Sequence, residues 1–158
     1  MQHTDFKIDF TVDKQWEDFN GHMNVTGYLF YFSRSAMAFF ESIGFGADGI
    51  KNDRASWFAL QQQLTYLNEV LPGEKIQLHV NPFDLDEKRM HFWVGMEKAA
   101  TGELIATMES MSIYVNMDTR KSQKLPEDKY KMLQELVSNS KRGIPDHIGK
   151  ALGFRKKS

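Results

Sequence analysis

From Val25 to about Ile43 the chain runs nearly apolar on every side, carrying Tyr28, Leu29, Phe30, Tyr31, Phe32, Met37, Phe39 and Phe40. The run is too long for one strand and too short to cross a bilayer. A helix with no polar face is expected to be buried all round, and Gly44 and Gly46 supply its stop. The segments around it read as strands. Phe6–Asp13 alternates apolar and polar residues, and so does Lys75–Val80; Ala55–Leu67 and Leu104–Asn116 are rich in strand formers, and Met90–Met96 is a further strand. One buried helix and several strands require a sheet that curls around the helix.

The connections follow turn chemistry. Leu71-Pro72-Gly73-Glu74 and Thr101-Gly102-Glu103 are turns, and Asp84–Arg89 is a charged hairpin link. Asp48–Arg54 reads as a short polar connection. From Pro126 to about Ser140, Leu133, Leu136 and Val137 are spaced as a surface helix, and the tail beyond Gly143 looks irregular. The pattern is α+β. It suits a single domain over residues 1–158, with its core at about 6–126 and the C-terminal helix and tail at about 127–158.

Composition narrows the function. With a net charge of -1, the chain offers no general electrostatic case for nucleic acid or membrane surfaces. The absence of cysteine excludes disulfides, thiolate nucleophiles and Cys-based metal sites. The N-terminal Met1-Gln2-His3-Thr4-Asp5 is polar, so a cytoplasmic address is expected.

Directly ahead of the apolar run stands Trp16-Glu17-Asp18-Phe19-Asn20-Gly21-His22-Met23-Asn24. Asn24 is a residue type that caps a helix start, and Gly21 permits a positive φ upstream. Asp18 and His22 would thus be delivered to a helix N-terminus, where orphan N–H groups and the positive dipole end gather. A carboxylate beside fixed backbone donors suits acyl transfer: one group attacks or activates water, the other holds the oxyanion. The competing structural reading is a capped helix behind a solvated loop.

Element order and the stretch Asp18–Asn24 resemble the hotdog-fold acyl-CoA thioesterases, the group typified by 4-hydroxybenzoyl-CoA thioesterase. In that family an antiparallel sheet wraps a long central helix, and an acid stands three residues before the loop glycine, as Asp18 stands before Gly21. A narrower similarity runs through Glu17–Val25, Gln63–Leu67, Asp86–His91 and Met117–Ser122. These look like the thioesterases that accompany, or are fused to, L-carnitine dehydrogenase and act on betainyl-CoA. One departure is Thr26-Gly27 ahead of Tyr28, where the family suggests an apolar or small pair; this could reshape the acyl pocket.

The resemblance implies roles. Asp18 is the catalytic carboxylate, as base or nucleophile, and the Val25 backbone N–H polarises the carbonyl while Asn24 aims it. His22 either orients Asp18 or contacts the acyl group, against the reading of a loop histidine bonded to backbone. Tyr28 is a candidate pocket wall, although a core tyrosine is commoner. Lys88 and Arg89 are candidates for the coenzyme A phosphates, with Arg34, Arg120 and Lys121 behind them. Glu69 reads more readily as a solvated strand end than as a pocket residue. Trp16, Phe19, Trp57, Tyr66 and Trp93 could face a quaternary ammonium. His79 and His91 show no metal-ligand spacing, so no metal is expected. No cofactor is required, coenzyme A being part of the substrate. The expected partners are an acyl-CoA and a second copy of the chain, as a homodimer or dimer of dimers, with neither nucleic acid nor membrane. Rival functions are a general short-chain, medium-chain or aromatic acyl-CoA thioesterase, a hydratase of the same fold, and a non-catalytic acyl-CoA-binding module.

Overall fold

A computed structural model describes residues 5–140 and 143–154. Strand β1 (Lys7–Thr11) leads through a 3-10 turn at Lys14–Trp16 into helix α1 (Val25–Ser42). A short helix α2 (Ala47–Asp53) follows. Strands β2 (Ala55–Tyr66), β3 (Lys75–Leu85), β4 (Arg89–Lys98) and β5 (Leu104–Asn116) come next, and helix α3 (Glu127–Asn139) follows them. The strands form one antiparallel sheet in the order β1-β3-β4-β5-β2. β1 and β2 are therefore its edges.

Helix α1 lies on the inner face, against β3 and β4. It buries Tyr28, Tyr31, Phe32, Ala36 and Phe39 against Leu78, Val80, Phe92, Val94, Met96 and Met108. Phe6 meets Phe39 edge-on at 5.6 Å, and Phe10 meets Tyr31 at 5.1 Å, which closes the β1 side. α3 adds Leu133 and Leu136 to the same core, and its Lys129 pairs with Asp53 of α2. A void at Phe32 would cost about 3–5 kcal/mol.

Two expectations need correction. α1 is not buried on every side. Val25, Leu29, Phe30 and Met37 are exposed, Met37 at 63%. Residues 25, 29 and 37 fall on one i, i+4 row, so an apolar stripe of the helix is left uncovered by the chain itself. Asp48–Arg54 is mostly helix α2 rather than a bare connection; Arg54 ends it in the left-handed region at φ 53°. Residues 144–154 lack regular structure, as expected, and are packed rather than loose.

That segment straps the outer face of the sheet. Along β4, Met90, Phe92, Val94 and Met96 enter the core, so the alternate residues His91, Trp93 and Gly95 point outward. Ile148 and Leu152 are buried there. The Gly149 N–H donates to Glu109 Oε1 at 2.8 Å, and Thr107 Oγ1 is hydrogen-bonded to His147 Nε2 at 2.8 Å. Gly149 has φ +79°, and a side chain on it would meet Phe83 at 3.0 Å. Covering on both faces explains why β4 reads as a continuous run without alternation.

Candidate active site

The loop before α1 folds back on itself through a β-bridge between Glu17 and Met23. The Asp18 N–H donates to the His22 carbonyl at 3.0 Å, and the Gly21 N–H returns to the Asp18 carbonyl at 3.0 Å. Gly21 sits at φ +78°, the conformation its lack of a Cβ favours. Two further bonds dock the loop: Asn24 N–H to the Trp16 carbonyl at 2.7 Å and Met23 N–H to the Val70 carbonyl at 2.9 Å. Asn24 caps α1, its Oδ1 accepting the Gly27 N–H at 3.0 Å. Val25 is the first helical residue, so its N–H has no carbonyl one turn back and points out of the helix start.

Gly27 has a packing reason. A Cβ there would stand 2.6 Å from Met23 Cγ and 2.9 Å from Trp16 Cβ. The glycine that departs from the family pattern is what lets the Asp18 loop lie flat on the helix.

Asp18, His22, Asn24 and Val25 share one open cleft of about 320 Å³ with Tyr28, Tyr66 and Glu69. Asp18 Oδ1 accepts the Asn20 N–H at 2.9 Å. Its other oxygen lies 3.6 Å from His22 Nδ1. His22 Nδ1 is also 3.2 Å from the Met23 carbonyl; a carbonyl only accepts, so that nitrogen carries a proton. Tyr28 is both core and wall. Its ring is buried, and its hydroxyl donates to the Asn68 carbonyl at 3.3 Å. Burial raises its phenol above the ordinary value, and the charges of Tyr66 and Glu69 add to that. Tyr66 stacks edge-on to Tyr28 at 5.0 Å with 48% of its surface exposed.

The other candidates lie elsewhere in the chain. Trp16 packs on Phe30 at 5.1 Å, beside the cleft rather than in it. Phe19 projects fully into solvent. Trp57 joins an aromatic cluster with Phe40, Phe45 and Tyr114, and helps line a separate cavity of about 410 Å³ with Met37. Lys88 and Arg89 form the β3–β4 turn and line a hollow of their own. Burial alone would raise the Asp86 carboxyl there; the Arg89 guanidinium and the backbone N–H groups of Lys88 and Arg89 hold it below the usual range. Trp93 and His79 are on the outer face, in edge-on contact at 5.2 Å. Asn81 donates to His79 Nδ1 at 2.7 Å, so His79 Nε2 donates to Glu97 at 3.1 Å. Among the described residues, no three His, Asp or Glu side chains gather as a metal-ligand set.

Glu69 is the cleft residue that sequence reasoning set aside. Its signal was Met23: the bond from Met23 to Val70 brings the end of β2 against the Asp18 loop, and pairing across that distance cannot be read from local pattern.

A long helix laid across the inner face of an antiparallel sheet is the hotdog arrangement. A family model described as the thioesterase-like superfamily matches residues 12–136, and the chain belongs to that family. The L-carnitine dehydrogenase/betainyl-CoA thioesterase of Rhizobium meliloti (strain 1021) is 28% identical over 150 residues, 94% of this chain and 30% of that protein. This chain thus spans about a third of the length of the first curated relatives it matches. The betainyl-CoA thioesterase of Pseudomonas aeruginosa is 25% identical over 141 residues, 89% of each chain. A hypothetical protein from Staphylococcus aureus, solved in complex with CoA, superposes with a TM-score of 0.85 at 27% identity, covering 96% of both chains.

Proposed function

We propose that the chain hydrolyses a small acyl-CoA thioester to the free acid and coenzyme A, with betainyl-CoA as the acyl donor. The observation that carries this reading is the shared cleft of Asp18 and the Val25 N–H at the start of α1. Asp18 acts on the thioester carbon, directly as nucleophile or through a water whose proton it takes. The carbonyl oxygen becomes an oxyanion facing the Val25 N–H. The C–S bond then breaks: on the water route the proton Asp18 took passes to the departing thiolate and leaves the free acid, and on the direct route a water opens the acyl–Asp18 anhydride, which releases the acid, restores the carboxylate and supplies the thiol proton. A thioester has a good leaving group, so no metal or cofactor is needed. The names of the Rhizobium meliloti and Pseudomonas aeruginosa relatives support the betainyl group. A cytoplasmic address suits a cysteine-free chain acting on coenzyme A thioesters.

The assembly proposed is a homodimer, alone or doubled into a dimer of dimers. Its support is the apolar stripe of α1 beside the open edge of β2, where Phe58 and Leu60 are also exposed. Trp57 pairs with Tyr114 and Arg89 with Ile113, so Trp57, Lys88 and Arg89 share one end of the sheet; Tyr66, opposite Ala106, is at the other. Antiparallel pairing of two β2 edges would bring the Trp57 end of one copy to the Asp18 cleft of the other. That is where these candidates would meet the substrate.

A panel of acyl-CoAs followed with a thiol-detecting reagent tests the reaction. Release of coenzyme A supports it. Hydration without thiol release would identify a hydratase, and binding without turnover a non-catalytic module. A monomeric mass in light scattering at micromolar concentration, with turnover intact, would overturn the dimer.

A further inference from the structure

Glu69 is exposed at its side chain and fixed at its backbone neighbours. Before it, the Leu67 and Asn68 N–H groups both bond the Ile105 carbonyl, at 2.8 and 3.0 Å, and the Asn68 side chain donates to the Leu104 carbonyl at 3.3 Å. After it, fully buried Val70 accepts the Met23 N–H. A loop tip held this way fixes the point from which the Glu69 side chain leaves the backbone at the cleft. Glu69 makes no ion pair with any described residue.

The charges around the cleft are one-sided. Its titratable lining groups are Asp18, Glu69, His22 and the phenols of Tyr28 and Tyr66, with no Lys or Arg. Asp18 is committed to the reacting carbon, which leaves Glu69 without a role in the chemistry. Tyr66 lines the same cleft, its ring at 76° to that of Tyr28 and nearly half of its surface exposed. A carboxylate next to an exposed aromatic face suits a cation too diffuse to be a hydrogen-bond donor, the chemistry of a quaternary ammonium. A neutral acyl group would gain only apolar contact with the ring, and an anionic one would be repelled by the carboxylate.

We infer that Glu69 and the open face of Tyr66 form the specificity wall of the cleft, selecting an acyl group that carries a quaternary ammonium. The inference rests on the thioesterase reading above and assigns its selectivity to named residues. Both act on substrate binding, so their effect belongs mainly in KM.

The test uses the purified full chain with betainyl-CoA and its uncharged carbon isostere, tert-butylacetyl-CoA. Wild type should favour the cation by on the order of 10–100-fold in kcat/KM. Glu69→Gln should bring that ratio down about tenfold, through KM for betainyl-CoA. Tyr66→Leu should lower it several-fold, while Tyr66→Phe, which keeps the ring, should restore most of it. An unchanged ratio in Glu69→Gln, or equal losses on both esters, would overturn the assignment while leaving the reaction standing. Wild type that turns over both esters equally would instead remove the betainyl reading. Failure to cleave either thioester, together with no thiol release across the acyl-CoA panel, would remove the thioesterase reading itself.

Discussion

Asp18 and His22 stand 3.6 Å apart on a loop, each about a quarter to a third exposed, at the rim of an open cleft. His91 and Glu109 stand 3.1 Å apart on neighbouring strands, each at 1% side-chain exposure, under a strap of chain. The residue types are nearly the same, and the surroundings differ in every respect that matters. Asp18 keeps one oxygen clear of strong donors, and His22 commits only its Nδ1, to the Met23 carbonyl, among the described residues. Glu109 is shared between His91 and the Gly149 N–H, and His91 Nδ1 is buried without a partner. The first pair can exchange protons with a substrate; the second holds a segment in place. Reactivity here follows access, not composition.

The sharpest way to break this contrast is Asp18→Asn. It preserves shape and removes the charge, and should lower kcat by on the order of 10²–10⁴ with the melting temperature nearly unchanged. A variant within a few-fold of wild type on its best substrate would make Asp18 as structural as Glu109. Glu109→Gln should do the reverse. It weakens the anchor of Gly149 and His91 and should cost about 1–3 kcal/mol of stability in denaturant titrations, while turnover per folded molecule stays near wild type.

Acid separates the two pairs further. Burial holds His91 below its ordinary 6.5, against the pull of Glu109. The unfolded chain therefore binds a proton that the folded chain refuses. Stability from this source is full above about pH 6.5 and is lost as pH falls below it, at no more than about 1.4 kcal/mol per pH unit for one group. His79 is lowered in the same direction by its burial. Thermal melts between about pH 7.5 and 5.5 should show the decline, and His91→Gln should flatten part of it. An unaltered slope would mean that His91 is not the group responsible.

The smallest effect should come from the β3–β4 turn. Lys88→Ala with Arg89→Ala should raise KM for acyl-CoA several-fold, less at high salt, if these side chains reach the phosphates. A wild-type KM would leave them as a solvated hairpin.

Local features carried the first pair into view. Asn24, Gly21 and the spacing of Asp18 act within one loop, where capping and φ preference operate, and the loop forms as those preferences dictate. β1 and β3 were legible through alternation, and α1 and the other strands through the length and composition of their runs. What escaped depends on distant pairing. Whether Met37 is covered by this chain or left for another cannot be read from hydrophobicity. Glu69 enters the cleft only because Met23 pairs with Val70. The strap around Gly149 has no period at all, since its order comes from Thr107, Glu109 and Phe83 on strands far away in sequence.

That strap also limits how copies of this protein can stack. A bare sheet face is an invitation to lay one molecule back to back on another. Here Ile148 and Leu152 already occupy the ground over β4 and β5. Any second layer would meet irregular backbone and the exposed Lys150 and Ala151 instead of a flat row of side chains. Residues 143–154 thus act as a spacer that closes this face of the sheet to flat stacking.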